Sequence, residues 1–178
     1  MIYYFAYGSN LHPVRLTERV PSAKLIGVAR YPDHALAFHK RSHDGSSKCN
    51  MHYTGSGCVY GAIYRLNPDH KNELDKFEGK GFGYIDIQVV LECNGNEYAC
   101  FTYIAQKSHI TSRLKPYDWY KRLVVLGAQY LKLSESYVAS IESVESIDDP
   151  DTTRKRTNER LIRRMSGILS DPRATTID

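Results

Sequence analysis

A chain of 178 residues with 42% hydrophobic and 25% charged residues has the size of one globular domain and enough apolar material for a proper core. No apolar run is long enough to cross a bilayer. The first residues lack a basic stretch followed by an apolar block, so no secretory leader is read. The formal net charge is +4, but the excess is local, and no specific nucleic-acid partner is expected. The four cysteines form no Cys-x-x-Cys pair and are read as reduced thiols of a cytoplasmic protein.

In chain order, residues 2–7 read as a first strand, apolar on both faces and therefore central. It runs into Gly8-Ser9-Asn10. Glycine lets the backbone turn sharply and come close to a ligand, and successive amides in such a turn can converge on an anionic oxygen. The alternative is an ordinary polar turn. Residues 12–20 read as a short helix opened by Pro13. Residues 23–39 and 58–66 read as strands. Between them, residues 40–57, rich in Gly, Ser, Lys and His, read as an exposed loop.

Asn67-Pro68-Asp69 is a helix start, and that helix should stop at Gly79. Residues 84–104 read as a hairpin turning at Asn94-Gly95, with Cys93 and Cys100 able to face one another across the strands. Residues 117–133 carry Tyr120, Leu123, Val124, Gly127, Ala128 and Leu131 at one-face helical spacing. Ser134 can cap a further helix with the stripe Tyr137, Val138, Ile141 and Val144. Asp148-Asp149-Pro150-Asp151 then begins a tail. In it Arg154, Lys155, Arg156, Arg160, Arg163 and Arg164 interleave with Leu161, Ile162, Met165, Ile168 and Leu169. This basic amphipathic pattern suits an acidic surface, or docking on the chain's own domain.

Two other constellations were weighed. His39, His43, Cys49, His52 and Cys58 are zinc-type ligands, but they lack tight paired spacing, and no metal is expected. Gly79-Lys80-Gly81-Phe82-Gly83 follows a helix rather than a strand, so it is not a nucleotide loop.

Tyr4-Phe5-Ala6-Tyr7-Gly8-Ser9-Asn10-Leu11 resembles the signature loop of the gamma-glutamylcyclotransferases. Val59–Tyr64, the segment Leu74–Gly79, and Tyr120 with Gly127-Ala128 follow in that family's order. The resemblance covers roughly the first four-fifths of the chain and is not seen in the tail. It implies an α+β fold with a mixed, curved or barrel-like sheet flanked by helices. The catalytic domain would be 1–147, and 148–178 a basic tail, helical or partly disordered. It also implies an enzyme without cofactor or metal that cyclises a gamma-glutamyl group to 5-oxoproline and releases the attached amine.

In that reading Glu78 is the general acid/base, and burial and the negative end of its helix both disfavour charge on it. Tyr4, Phe5, Ala6, Tyr7, Gly8, Ser9, Asn10 and Tyr120 would bind substrate. Glutathione-specific relatives typically carry Leu after Gly-Ser, and the gamma-glutamylamine group carries Tyr-Gly-Thr-Leu. Asn10 follows the pattern of enzymes acting on gamma-glutamyl amino acids. A homodimer is compatible with the sequence. The competing reading is a non-catalytic gamma-glutamyl-binding or scaffold module acting through its basic tail.

Overall fold

The structure is a computed structural model and describes residues 1–169. The element order is β1 (Ile2–Ala6), α1 (Pro13–Arg19), β2 (Lys24–Arg41), β3 (Ser47–Leu66), α2 (Lys71–Glu78), β4 (Tyr84–Cys93), β5 (Asn96–Ala105), α3 (Asp118–Tyr130), α4 (Glu135–Glu142) and α5 (Thr152–Leu169). The five strands form one mixed sheet in the order β2-β3-β1-β5-β4. Only β1 and β5 run parallel. The fold is therefore α+β, as expected, with the first strand in the middle. The sheet is open but strongly curved. Its two edges approach where Asn94 Nδ2 donates to the Ile26 carbonyl at 3.4 Å, without a ladder joining β2 to β4.

The expected loop at 40–57 is instead the turn and the outer part of a long hairpin. β2 and β3 pair from Lys24↔Arg65 out to Arg41↔Ser47, with register shifts at Leu25/Gly27, Pro32/His34 and Phe38/Lys40. Strand pairing uses main-chain groups, so a polar composition does not prevent it once a partner strand is aligned. The sequence patterning failed because residues 53–57 are exposed at a bend of this ribbon. Buried Asn50 anchors the hairpin by accepting from the Ala105 amide at 2.8 Å.

The other hairpin has the expected Asn94-Gly95 turn. Its register sets Cys93 against Asn96 and Cys100 against Val89, so the two cysteines are not opposed as the sequence suggested. All four thiols are free.

Helix caps follow the sequence. Asn67 accepts from the Asp69 amide at 3.2 Å, opening a 3₁₀ turn that leads into α2. Gly79 ends α2 in the left-handed conformation, φ 66°, which glycine adopts without strain. Ser134 caps α4. Gly127 packs α3 directly against Leu11 and His12, where a side chain would force the helix off the signature loop.

Residues 148–169 do not hang free. α5 lies on α3 and α1, with Leu161, Ile162 and Met165 buried and Arg156, Arg160, Arg163 and Arg164 exposed. Burying each apolar side chain contributes roughly 1.5–3 kcal/mol. The entry to α5 is fixed by buried Asp149, which accepts from Arg154 Nε at 2.6 Å and Trp119 Nε1 at 2.8 Å. The expected tail continues to 178, and 170–178 lie outside the described residues. Among the described residues, no helix is long and apolar enough to cross a membrane.

Candidate active site

The pocket forms where β1 and its loop meet the last turn of α2 and α3, with single residues added from β3, β4 and β5. The pocket is lined by Tyr4, Tyr7, Gly8, Ser9, Asn10, Cys49, Glu78, Tyr84, Tyr103 and Tyr120. Glu78 and six of the eight residues expected to bind substrate (Tyr4, Tyr7, Gly8, Ser9, Asn10 and Tyr120) are thus neighbours. Phe5 and Ala6 are not. Both are fully buried in the core, where the Phe5 ring covers Gly61. In a strand alternate side chains face opposite ways, which turns Phe5 away from the face that Tyr4 presents.

The signature turn closes with the Leu11 amide donating to the Gly8 carbonyl at 3.1 Å. Gly8 is not in a left-handed conformation; the reason for glycine here is proximity. A Cβ at this position would sit 3.1 Å from Cys49 Cβ and 3.6 Å from the Tyr120 hydroxyl. Tyr120 is itself fixed, accepting from the Cys49 amide at 3.1 Å, while the Tyr84 hydroxyl donates to the Cys49 carbonyl. Cys49 is therefore a main-chain clasp between two pocket tyrosines.

Glu78, the last residue of α2, is mostly covered. Its Oε1 accepts from Asn10 Nδ2 at 2.8 Å and from Arg19 at 3.1 Å, and Arg19 also donates to Asn10 Oδ1 at 3.0 Å. Burial and the helix terminus, the two influences legible in the sequence, are thus not its whole environment, because Arg19 forms an ion pair with the carboxylate. Asn10 accepts from Arg19 and donates to Glu78, which leaves its carboxamide one orientation.

The other ionisable groups of the pocket are neutral near pH 7. Burial pushes the Tyr7, Tyr84 and Tyr120 hydroxyls well above the usual phenol range. Burial also raises the Cys49 thiol to about 12, against a smaller opposing effect of the Tyr120 hydrogen bond. A thiolate nucleophile is thus disfavoured, and Glu78 is the carboxylate that faces the loop.

Outside this narrow pocket lies a wider chamber of about 160 Å³ that shares Ser9, Glu78, Tyr84 and Tyr120 and adds Arg15, Arg19, Lys40 and Lys48 to its walls. Sequence reasoning missed Arg15, Arg19, Lys40, Tyr84 and Tyr103. The two arginines follow the loop on α1, where no local motif marks them. Tyr84 and Tyr103 carry no local motif, and only the β4–β5 register brings them in. The zinc-type residues stay spread along β2, β3 and the turn between them. His39 is hydrogen-bonded to Asn50, and among the described residues no three His, Cys, Asp or Glu are grouped to hold a metal.

Residues 58–141 match the AIG2-like family model. The gamma-glutamylcyclotransferase of Bos taurus is 33% identical over 152 residues, covering 82% of this chain and 79% of the relative. The gamma-glutamylcyclotransferase of Homo sapiens is 31% identical over 158 residues, with the same two coverages. The chain belongs to the gamma-glutamylcyclotransferase family. A solved structure of a gamma-glutamyl cyclotransferase superposes with a TM-score of 0.80 at 27% identity, covering 92% of this chain and 98% of the other. That coverage exceeds what residues 1–147 alone could supply. Likeness to the gamma-glutamylcyclotransferases therefore reaches into the tail, where the sequence shows no resemblance.

Proposed function

We propose that this chain is a gamma-glutamylcyclotransferase acting on gamma-glutamyl amino acids, with Glu78 as its general acid/base. The single observation that carries the reading is the direct contact of Glu78 with Asn10 of the signature loop. It puts a carboxylate at the signature loop, in a pocket whose other groups do not ionise near neutrality.

The substrate's α-amino group attacks its own γ-carbonyl carbon. A carbon–nitrogen bond forms, the lactam ring closes, and the original amide bond breaks to release the amine. Glu78 accepts the proton that the attacking nitrogen loses and delivers it to the departing nitrogen. The two reacting groups share one molecule, so the main task of the pocket is to hold the bent conformation. Tyr4, Tyr7, Tyr84 and Tyr120 suit that task, because their hydroxyls and rings are already held by the protein. The amides of Gly8 and Ser9 supply hydrogen-bond donors for a substrate oxygen. Arg19 and Asn10 orient the Glu78 carboxylate.

Incubation with gamma-glutamyl-alanine and, separately, with glutathione, followed by detection of 5-oxoproline, tests the reading. The expected outcome is 5-oxoproline from gamma-glutamyl-alanine. Tight binding of gamma-glutamyl compounds without any product would favour the non-catalytic module instead.

A further inference from the structure

The outer chamber holds more positive charge than the protein neutralises. Of its four cations, Arg19 is paired with Glu78 at 3.1 Å and Lys48 with Asp44 at 2.7 Å. Arg15 and Lys40 remain. Both are buried, at 7% and 5% exposure, and among the described residues neither side chain has an ion pair or a hydrogen bond. The Nε of Arg15 is fully enclosed without any partner. The carboxylate nearest Arg15 in sequence on its own helix, Glu18, is taken by Arg164 of α5. The Lys40 ammonium lies 4.5 Å from the centroid of the Tyr84 ring, and its stem packs over Gly83.

A buried, unpaired cation is costly, and two lining one chamber amount to a prepared site for a negatively charged ligand. The cost is visible in the groups themselves: burial lowers Arg15 to about 9 and shifts Lys40 in the same direction.

The location says which part of a substrate carries that charge. Arg15 and Lys40 line the outer chamber and not the inner pocket, and Glu78 lies on the wall common to both. With Glu78 beside the scissile amide, the inner pocket takes the glutamyl half and the outer chamber takes the half that leaves. We infer that Arg15 and Lys40 form the leaving-group subsite, recognising a carboxylate on the departing amine. The favoured substrates are then gamma-glutamyl conjugates of amino acids, most of all acidic ones, which offer a carboxylate to each cation. Conjugates of uncharged amines leave the cations bare. The assignment rests on the cyclotransferase reading and adds specificity residues to it.

The test compares gamma-glutamyl-glutamate, gamma-glutamyl-alanine and gamma-glutamyl-ethylamide in the full-length protein and in Arg15→Met and Lys40→Met. Removing a charge-assisted hydrogen bond changes affinity by about tenfold to a hundredfold. The expected kcat/KM order is glutamate conjugate, then alanine conjugate, then ethylamide. In either variant the preference for the first over the last should shrink by about that factor, mainly through KM. Lys40→Met and the charge-retaining Arg15→Lys keep the test open if Arg15→Met does not fold.

Equal turnover of all three conjugates by the unaltered protein overturns the subsite and leaves the cyclotransferase reading intact. If no conjugate yields 5-oxoproline, the cyclotransferase reading falls, and calorimetric binding of gamma-glutamyl-glutamate decides the subsite. Binding weakened in both Met variants supports it; binding unaffected by them, or absent from the unaltered protein, overturns it.

Discussion

The side-chain amide of Asn10 lies 2.8 Å from the Glu78 carboxylate, although 68 positions separate them in the chain. The contact joins the signature loop after β1 to the end of α2. Arg19 touches both partners, so the carboxylate is held in place and kept accessible from the pocket.

Glu78→Gln keeps the shape of the side chain and an oxygen to accept from Asn10, while removing the proton acceptor. Turnover should fall by about 10²–10⁴-fold, the usual contribution of general acid/base groups. Stability should fall by only about 1.5–3 kcal/mol, because Arg19 loses a mostly covered ion pair but keeps its hydrogen bond to Asn10. Normal 5-oxoproline release from this variant would end the assignment of Glu78.

Cys49 offers its main chain to Tyr120 and Tyr84 and keeps its thiol protonated. Cys49→Ala should therefore retain turnover within a few-fold. Treatment of the native protein with iodoacetamide should not inactivate it on the timescale of a typical active-site thiol. Rapid, stoichiometric inactivation at Cys49 would show a nucleophile that the burial argument does not allow.

Tyr120→Phe removes the acceptor of the buried Cys49 amide. An unsatisfied buried amide costs about 1–3 kcal/mol, so denaturation should shift by that amount. Because Tyr120 also lines the pocket, KM for gamma-glutamyl-alanine should rise in the same variant. A change in stability without a change in KM would assign Tyr120 to structure alone.

The tail can be followed through the single tryptophan of the chain, since Trp119 donates to Asp149. Burial alone would raise the Asp149 carboxyl. Hydrogen bonds from Arg154, Trp119 and the Asp151 amide outweigh it and hold the group at about 2, against an ordinary value of 3.8. The unfolded chain therefore binds this proton more readily than the folded one. The stabilisation is fully present above about pH 4 and is lost as pH falls toward 2. Asp149→Asn should cost about 1.5–3 kcal/mol, since it weakens charge-assisted hydrogen bonds and leaves Arg154 only its longer pair with Asp151, and should flatten the acid limb of the stability curve. Trp119 emission should shift to longer wavelength. An unchanged acid limb would show that another group controls it.

How far the sequence reached depends on the range of the interaction involved. The cap at Asn67, the stop at Gly79, the Asn94-Gly95 turn and the stripe on α3 are set by neighbours a few residues apart, and local propensity was enough to read them. The loop and Glu78 were legible through their resemblance to a family. The β2–β3 ribbon was not legible, because its polar stretch is held by main-chain pairing to a distant strand. The amphipathic stripe of the tail was legible, and docking on the chain's own domain was one of its two readings, but the partners that bury Leu161, Ile162 and Met165 lie on α3 and α1, outside any local window.

By itself, then, the sequence determined where helices start and stop, where the second hairpin turns, and which glutamate and loop to examine. Tertiary structure alone decided that Phe5 and Ala6 face the core, that Arg19 holds Glu78, and that Arg15 and Lys40 share a chamber with no carboxylate in direct contact with either. Those facts depend on which distant groups exclude water together. Burial and electrostatic pairing are properties of the assembled volume, and no window along the chain contains them.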